Sequence, residues 1–107
     1  MQKNISKFLI VIPTYNERQN IALLIKKISK NLKNFFYEII VIDDNSQDGT
    51  KLVLKEIKSS KKNFTFHIRK KEKRDLSQSL ILGIKKTKFN NIIITILLEL
   101  LIEILEN

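Results

Sequence analysis

Three polar clusters in this sequence have the residue types to do chemistry. The first is Pro13-Thr14-Tyr15-Asn16-Glu17, which directly follows the apolar run Phe8–Ile12. Tyr15 offers a flat ring for stacking, and Glu17 a carboxylate that can accept donors from a base or a sugar. The same residues also suit a turn and helix start, with Asn16 as cap and Glu17 favourable against the helix dipole. The second cluster is Asp43-Asp44, two adjacent acids at the end of Glu38–Ile42. Carboxylates bordering an apolar strand need donors or a cation. They could accept N–H bonds from a nucleobase, hold a divalent metal, or make an Asx-type turn in which Asp44 or Ser46 caps the next helix. The third is Arg69, which can pair with a diphosphate or with Asp44, or stand as a surface cation.

The elements that must position these groups follow from periodicity. Phe8–Ile12 reads as a buried strand stopped by Pro13, and Glu38–Ile42 as a second. Between them Ile21, Leu24, Ile25, Ile28 and Leu32 form one helical stripe, ended by Asn31–Asn34. Asp48-Gly49 is turn chemistry, with Gly49 suited to positive φ, and a helix is predicted from about Thr50 to Ser60. Phe64, Phe66 and Ile68 alternate with Thr65 and His67, a half-buried strand with His67 on its other side. Lys70–Asp75 reads as a charged loop, about Ser77 to Thr87 as a helix, and Ile92–Ile96 as a candidate fourth strand. Strands alternating with helices give an α/β fold, a Rossmann-like parallel sheet with flanking helices. Ligands of such sheets bind beyond the carboxyl ends of the strands, where all three clusters fall.

Composition narrows the class. The chain has 107 residues, 43% hydrophobic and 29% charged, which fits one globular domain. With no Cys and the single His67 there is no thiolate nucleophile and no Cys- or His-rich metal site. His67 is given no catalytic role. The opening residues do not resemble a signal peptide, and Ile92–Leu105, interrupted by Glu99 and Glu103, is too short to span a bilayer, so a soluble, cytoplasmic protein is expected. The net charge of +9 arises mostly between residues 51 and 90, which hold thirteen basic and three acidic groups. Of the 20 basic residues 17 are Lys, and Lys, Ile and Asn make up 46 of the 107 residues. These share A/T-rich codons, so base composition accounts for much of the lysine. Scarce Arg and aromatics argue against nucleic acid as a partner. A lysine-rich module binding nucleic acid or an anionic membrane is kept as the alternative function.

Taken together, Ile10-Val11-Ile12-Pro13-Thr14-Tyr15-Asn16-Glu17 and Glu38-Ile39-Ile40-Val41-Ile42-Asp43-Asp44-Asn45-Ser46-Gln47-Asp48-Gly49-Thr50 resemble the start of family 2 glycosyltransferases. Within that family they look most like the polyprenol-phosphate (dolichol-phosphate) mannosyltransferase branch. The resemblance weakens through Arg69 and Gly83 and ends near Ile94. It implies the nucleotide-binding half of a GT-A fold that takes a nucleotide-diphospho-sugar, GDP-mannose or a UDP-sugar. It also implies mannose or glucose transfer to a polyprenyl phosphate, at the cytosolic membrane surface. By motif, Pro13, Tyr15 and Glu17 match nucleotide contacts. Ile42 and Asp44 match the wall and carboxylate that receive the base, with Asp43 beside them. The family implies a magnesium or manganese ion held by an Asp-x-Asp after the fourth strand.

Two segments depart from the family pattern. Asp75-Leu76-Ser77-Gln78-Ser79 replaces a glycine-rich stretch, and Thr95-Ile96-Leu97-Leu98 stands where the metal motif belongs, so this sequence lacks those ligands. Residues 1–91 are therefore read as the nucleotide-sugar-binding half. Residues 92–107 form an atypical tail in which Glu99, Glu103 and Glu106 recur with amphipathic helical spacing. The tail either covers a sheet edge, pairs with another copy in a homo-oligomer, or is the product of a frameshift or early stop. A fragment without turnover is expected.

Overall fold

The computed structural model describes residues 7–70 and 91–94, and its element order is β1 (Lys7–Thr14), α1 (Arg18–Asn31), β2 (Phe36–Asp43), α2 (Thr50–Ser60), β3 (Phe64–Ile68) and β4 (Asn91–Ile94). The strands form one sheet in the order β3-β2-β1-β4, and every pairing is parallel. The expected α/β architecture is present, with β4 beginning at Asn91, one residue before the tail boundary read from sequence. The expected helix at 77–87 and the remainder of the tail lie outside the described residues.

Pleating divides the apolar strand residues between two faces. Ile10, Ile12, Ile39, Val41 and Phe64 pack with Ile21, Leu24, Ile25 and Ile28 of α1 and Leu54 of α2. Leu9, Val11, Ile40 and Ile42 form a second buried cluster on the opposite face. Both faces being buried explains why β1 and β2 read as continuous apolar runs rather than alternating ones. Each fully buried Leu or Ile contributes roughly 1.5–3 kcal/mol of hydrophobic stabilisation.

Pro13 does not stop the ladder as expected. β1 continues through it to Thr14, with Pro13 opposite Ile42 and Thr14 opposite Asp43. The Thr14 carbonyl accepts the Asp44 N–H at 3.0 Å and so faces β2. Successive residues of a strand turn their polar groups to opposite sides, so the N–H that proline lacks would have pointed away from β2. The described pairing on that other side reaches only Val11.

The helices return the chain from the carboxyl edge of the sheet to its amino edge. α1 ends where the Leu32 N–H donates to the Ile28 carbonyl at 2.9 Å, and a turn closed by Phe35 N–H on the Leu32 carbonyl, also 2.9 Å, starts β2. At the end of α2, Lys58 Nζ donates to the Phe64 carbonyl at 3.0 Å. Asn63 joins β3 to β2: its carbonyl accepts the Ile39 N–H, and its Nδ2 donates to the Tyr37 carbonyl at 3.1 Å.

Candidate functional site

At the carboxyl edge the Asp pair divides its work. Asp43, on the helix-covered face, is fully buried. Its Oδ1 accepts the hydroxyls of Thr14 at 2.7 Å and Ser46 at 2.6 Å, while Oδ2 accepts the Ser46 N–H at 2.7 Å. These bonds make a buried carboxylate tolerable and tie the end of β1 to the loop after β2. Asp44, 9% exposed, comes at the opposite parity. Its Oδ1 lies 3.4 Å from Arg69 Nη1, and the Arg69 N–H donates to the Asp43 carbonyl at 2.7 Å. Of the partners open to Arg69 from sequence, the guanidinium is on Asp44.

Pro13 and Ile42 are buried register partners on the face opposite α1 and α2, and His67 is next in that row, opposite Ile42. His67 thus sits on the other side of β3 from Phe66, as the alternation indicated. Tyr15 follows at the rim, 38% exposed. Glu17 is half-buried, and its Oε2 accepts the Asn20 Nδ2 at 3.2 Å within its own helix. All seven residues singled out from sequence lie at one edge. Asp44 and Arg69 are in contact, Pro13 and Ile42 are paired, Asp43 is enclosed, and Tyr15 and Glu17 belong to the adjoining loop.

The capping expected from sequence is replaced by a reciprocal arrangement between the two loops. Asn16 does not cap α1; it adopts φ 54°, its N–H donates to Ser46 Oγ at 2.7 Å, and its Oδ1 accepts the Gln47 N–H at 2.9 Å. Glu17 is the N-cap but makes no side-chain cap bond. Its N–H donates to Thr50 Oγ1 at 3.1 Å, and the Arg18 N–H donates to Asp48 Oδ2 at 3.1 Å. Neither Asp44 nor Ser46 caps α2. Gly49 is its N-cap at φ 97°, Asp48 Oδ1 accepts the Thr50 N–H at 3.0 Å, and the Thr50 hydroxyl also donates to Asp48. The Asp48 carboxylate therefore sits at the start of both helices, where their dipoles favour negative charge. Burial pushes its pKa up, but the hydrogen bonds from Thr50 and Arg18 outweigh this and hold it below the ordinary aspartate value.

Thr14, Ser46, Asp48 and Thr50 are the contributors that residue-by-residue reading missed as a set. Short oxygen-bearing side chains at the ends of two adjacent parallel strands were the available signal. With both helix starts engaged by side chains, a phosphate would rely on Arg or Lys rather than a helix N-terminal cradle. A groove of about 400 Å³ lined by Asn16, Glu17, Arg18, Gln19, Asn20 and Asp48 adjoins this lock. A larger one, about 680 Å³, runs beside α2 from Arg18 and Gly49 to Ser59. Neither is lined by Asp44 or Arg69.

Members of the family that this sequence resembles generally use a divalent metal. Among the described residues no three carboxylates or imidazoles converge as a ligand set. Asp43 is enclosed by Thr14 and Ser46, Asp44 is paired with Arg69, and Asp48 serves the helix starts, so these acids do not fit the role.

The fold and edge define a parallel α/β domain whose polar loops gather beyond the strand ends. The chain belongs to glycosyl transferase family 2, which it matches over residues 9–97. It is 35% identical over 80 residues to a dolichol-phosphate mannosyltransferase of Pyrococcus furiosus, covering 75% of this chain and 22% of that protein. It is also 43% identical over 42 residues to a polyprenol monophosphomannose synthase of Mycolicibacterium smegmatis, covering 39% of this chain and 15% of that one. Among solved structures, S. aureus TarS superposes with a TM-score of 0.69 at 19% identity, covering 83% of this chain and 16% of TarS. At that identity the likeness concerns the fold, which TarS shares.

Proposed function

We propose that the carboxyl edge of the sheet binds a nucleotide-diphospho-sugar, GDP-mannose or a UDP-sugar. In this reading Tyr15 stacks on the base, Asp44 accepts its N–H donors, and Pro13 and Ile42 support the apolar wall. Glu17 accepts a ribose hydroxyl. Asp43 acts indirectly, by holding the Thr14 and Ser46 ends of the two loops in place. Arg69 holds Asp44 before the ligand arrives and can turn to the diphosphate once base donors take over the carboxylate. The observation that carries the reading is the nearly buried Asp44–Arg69 pair at the strand ends, with an exposed aromatic ring on the adjoining loop.

The reaction we assign to the domain is transfer of a mannose or glucose unit to a polyprenyl phosphate, at the cytosolic membrane surface. It follows the activities named for the two mannosyltransferase relatives, of which this chain spans only a fraction. The 107 residues themselves are expected to bind the donor without transferring sugar, because Thr95-Ile96-Leu97-Leu98 supplies no carboxylate at the family's metal position. The test is a heteronuclear NMR titration of the chain with GDP-mannose and, separately, UDP-glucose. Shifts centred on Tyr15 and Asp44 with one of the two identify the base, and Asp44→Ala should weaken that binding about tenfold or more. A dispersed spectrum unmoved by both ligands overturns the reading.

A further inference from the structure

Beside the Asp44–Arg69 pair stands a second cation, Lys51. Lys51 and Lys58 lie two turns apart on one face of α2. Lys58 Nζ reaches the Phe64 carbonyl at the start of β3. Lys51, about 10 Å back along the helix, therefore flanks the end of that strand, where Arg69 follows. It is half-buried, and its Nζ donates to Oδ1 of Asn45, the residue directly after Asp44. Asn45 stands at φ 61°, a left-handed conformation that glycine and asparagine tolerate best. Asparagine there adds the oxygen that draws Lys51 over the loop. The clamp is neutral, so it fixes the ammonium without cancelling its charge, unlike the pairing of Arg69 with Asp44. An ammonium has three N–H donors, and among the described residues Asn45 takes one.

Given the nucleotide site proposed above, on which this step rests, we infer that Lys51 donates to a ring carbonyl of the base, next to the N–H that Asp44 accepts. In guanine the N1–H adjoins the C6 carbonyl, and in uracil the N3–H lies between two carbonyls. A base whose N–H meets Asp44, itself 9% exposed, brings such an oxygen out of water beside it, and that oxygen needs a donor. Donors around Asp44 are committed elsewhere. The Asp44 N–H serves the Thr14 carbonyl, the Arg69 N–H the Asp43 carbonyl, and the Ser46 and Gln47 N–H groups the Asp43 and Asn16 side chains. The Thr14 and Ser46 hydroxyls both go to Asp43. The Arg69 guanidinium is on Asp44 and, once displaced, turns to the diphosphate. Lys51 keeps N–H groups to spare, on a flexible stem tethered one residue from Asp44.

The test is isothermal titration calorimetry of the chain with GDP and 6-thio-GDP, and with UDP, 2-thio-UDP and 4-thio-UDP. In each analogue sulfur replaces a carbonyl oxygen, leaves the neighbouring N–H and accepts hydrogen bonds only weakly. The unaltered chain should bind the oxygen form of its nucleotide about tenfold or more tighter than a sulfur form. Lys51→Met keeps the stem and the helix propensity but removes the ammonium, and should reduce that preference below about twofold. Lys51→Leu should behave likewise, and Lys51→Arg should restore most of the preference. The inference is overturned if the oxygen form has no advantage in the unaltered chain, or if Lys51→Met keeps that advantage. Lower affinity for oxygen and sulfur forms alike, with the preference kept, would make Lys51 a clamp on the loop only. A chain that binds neither GDP nor UDP sinks the nucleotide reading itself, and this role for Lys51 with it.

Discussion

Asp43 and Asp44 are neighbours in sequence, yet their environments give them separable roles. Replacing Asp43 with Asn swaps one accepting oxygen for an amide that cannot accept, at a fully buried position where three hydrogen bonds converge. The expected cost is about 2–3 kcal/mol of stability, read as a lower urea midpoint. Asp44→Ala removes the proposed base acceptor and should lose nucleotide affinity, whereas folded Asp43→Asn should keep most of it, since Asp43 is enclosed by Thr14 and Ser46. Equal losses of nucleotide affinity in the two variants would contradict this division. Asp48 adds a pH signature. Its depressed pKa means that its stabilising contribution is full above the ordinary aspartate range and is lost as pH falls through the folded value. The urea midpoint of the unaltered chain should therefore drop more steeply than that of Asp48→Asn below about pH 5.

At the scale of elements, the two helix starts are stabilised across the loops rather than within them. α1 has no acid in its first turn and no side-chain cap of its own. Its leading N–H groups are served by Asp48 and Thr50, about thirty residues further along the chain. Formation of α1's first turn is thereby coupled to the turn that begins α2. Gly49 is the hinge of that coupling. At φ 97° a side chain is strained, and an added Cβ would lie 3.1 Å from Arg18 Cδ. Because the Arg18 side chain can give way, the backbone dominates, and Gly49→Ala should cost about 1–2 kcal/mol. Amide exchange should quicken at Glu17 and Arg18 as well as at Thr50 in that variant. An effect confined to α2 would sink the coupling.

Across the whole molecule, the proposed donor site separates recognition from metal chemistry. In the proposed reading the donor is held by Tyr15, Glu17, Asp44 and Arg69, and the described residues present no metal ligand set. Affinity for the donor should therefore change by less than about twofold when magnesium is replaced by EDTA, since a lost metal contact would cost far more. Mixing the chain with donor, polyprenyl phosphate and magnesium should release no free nucleotide. A strong metal requirement for binding would show that ligands beyond the described residues complete the site.

Much of this arrangement was already legible in the one-dimensional pattern. The helical stripe from Ile21 to Ile28, the strands around Ile10 and Ile40, and the start of α2 at Thr50 follow from apolar periodicity and turn chemistry. Those are local properties, set within a few residues. The paired motifs ending at Glu17 and Thr50 carried the family, and parallel topology alone sent Pro13, Asp44 and Arg69 to one edge. What local rules could not assign was the partner of each polar side chain. Pro13 stays in the ladder because its missing donor faces away from β2. Asn16 leaves capping to residues of another loop, and Asp43 is enclosed while Asp44 meets Arg69. Each of these outcomes depends on atoms about thirty residues apart coming within hydrogen-bond distance. Only the register of β1 against β2, and of β2 against β3, decides that.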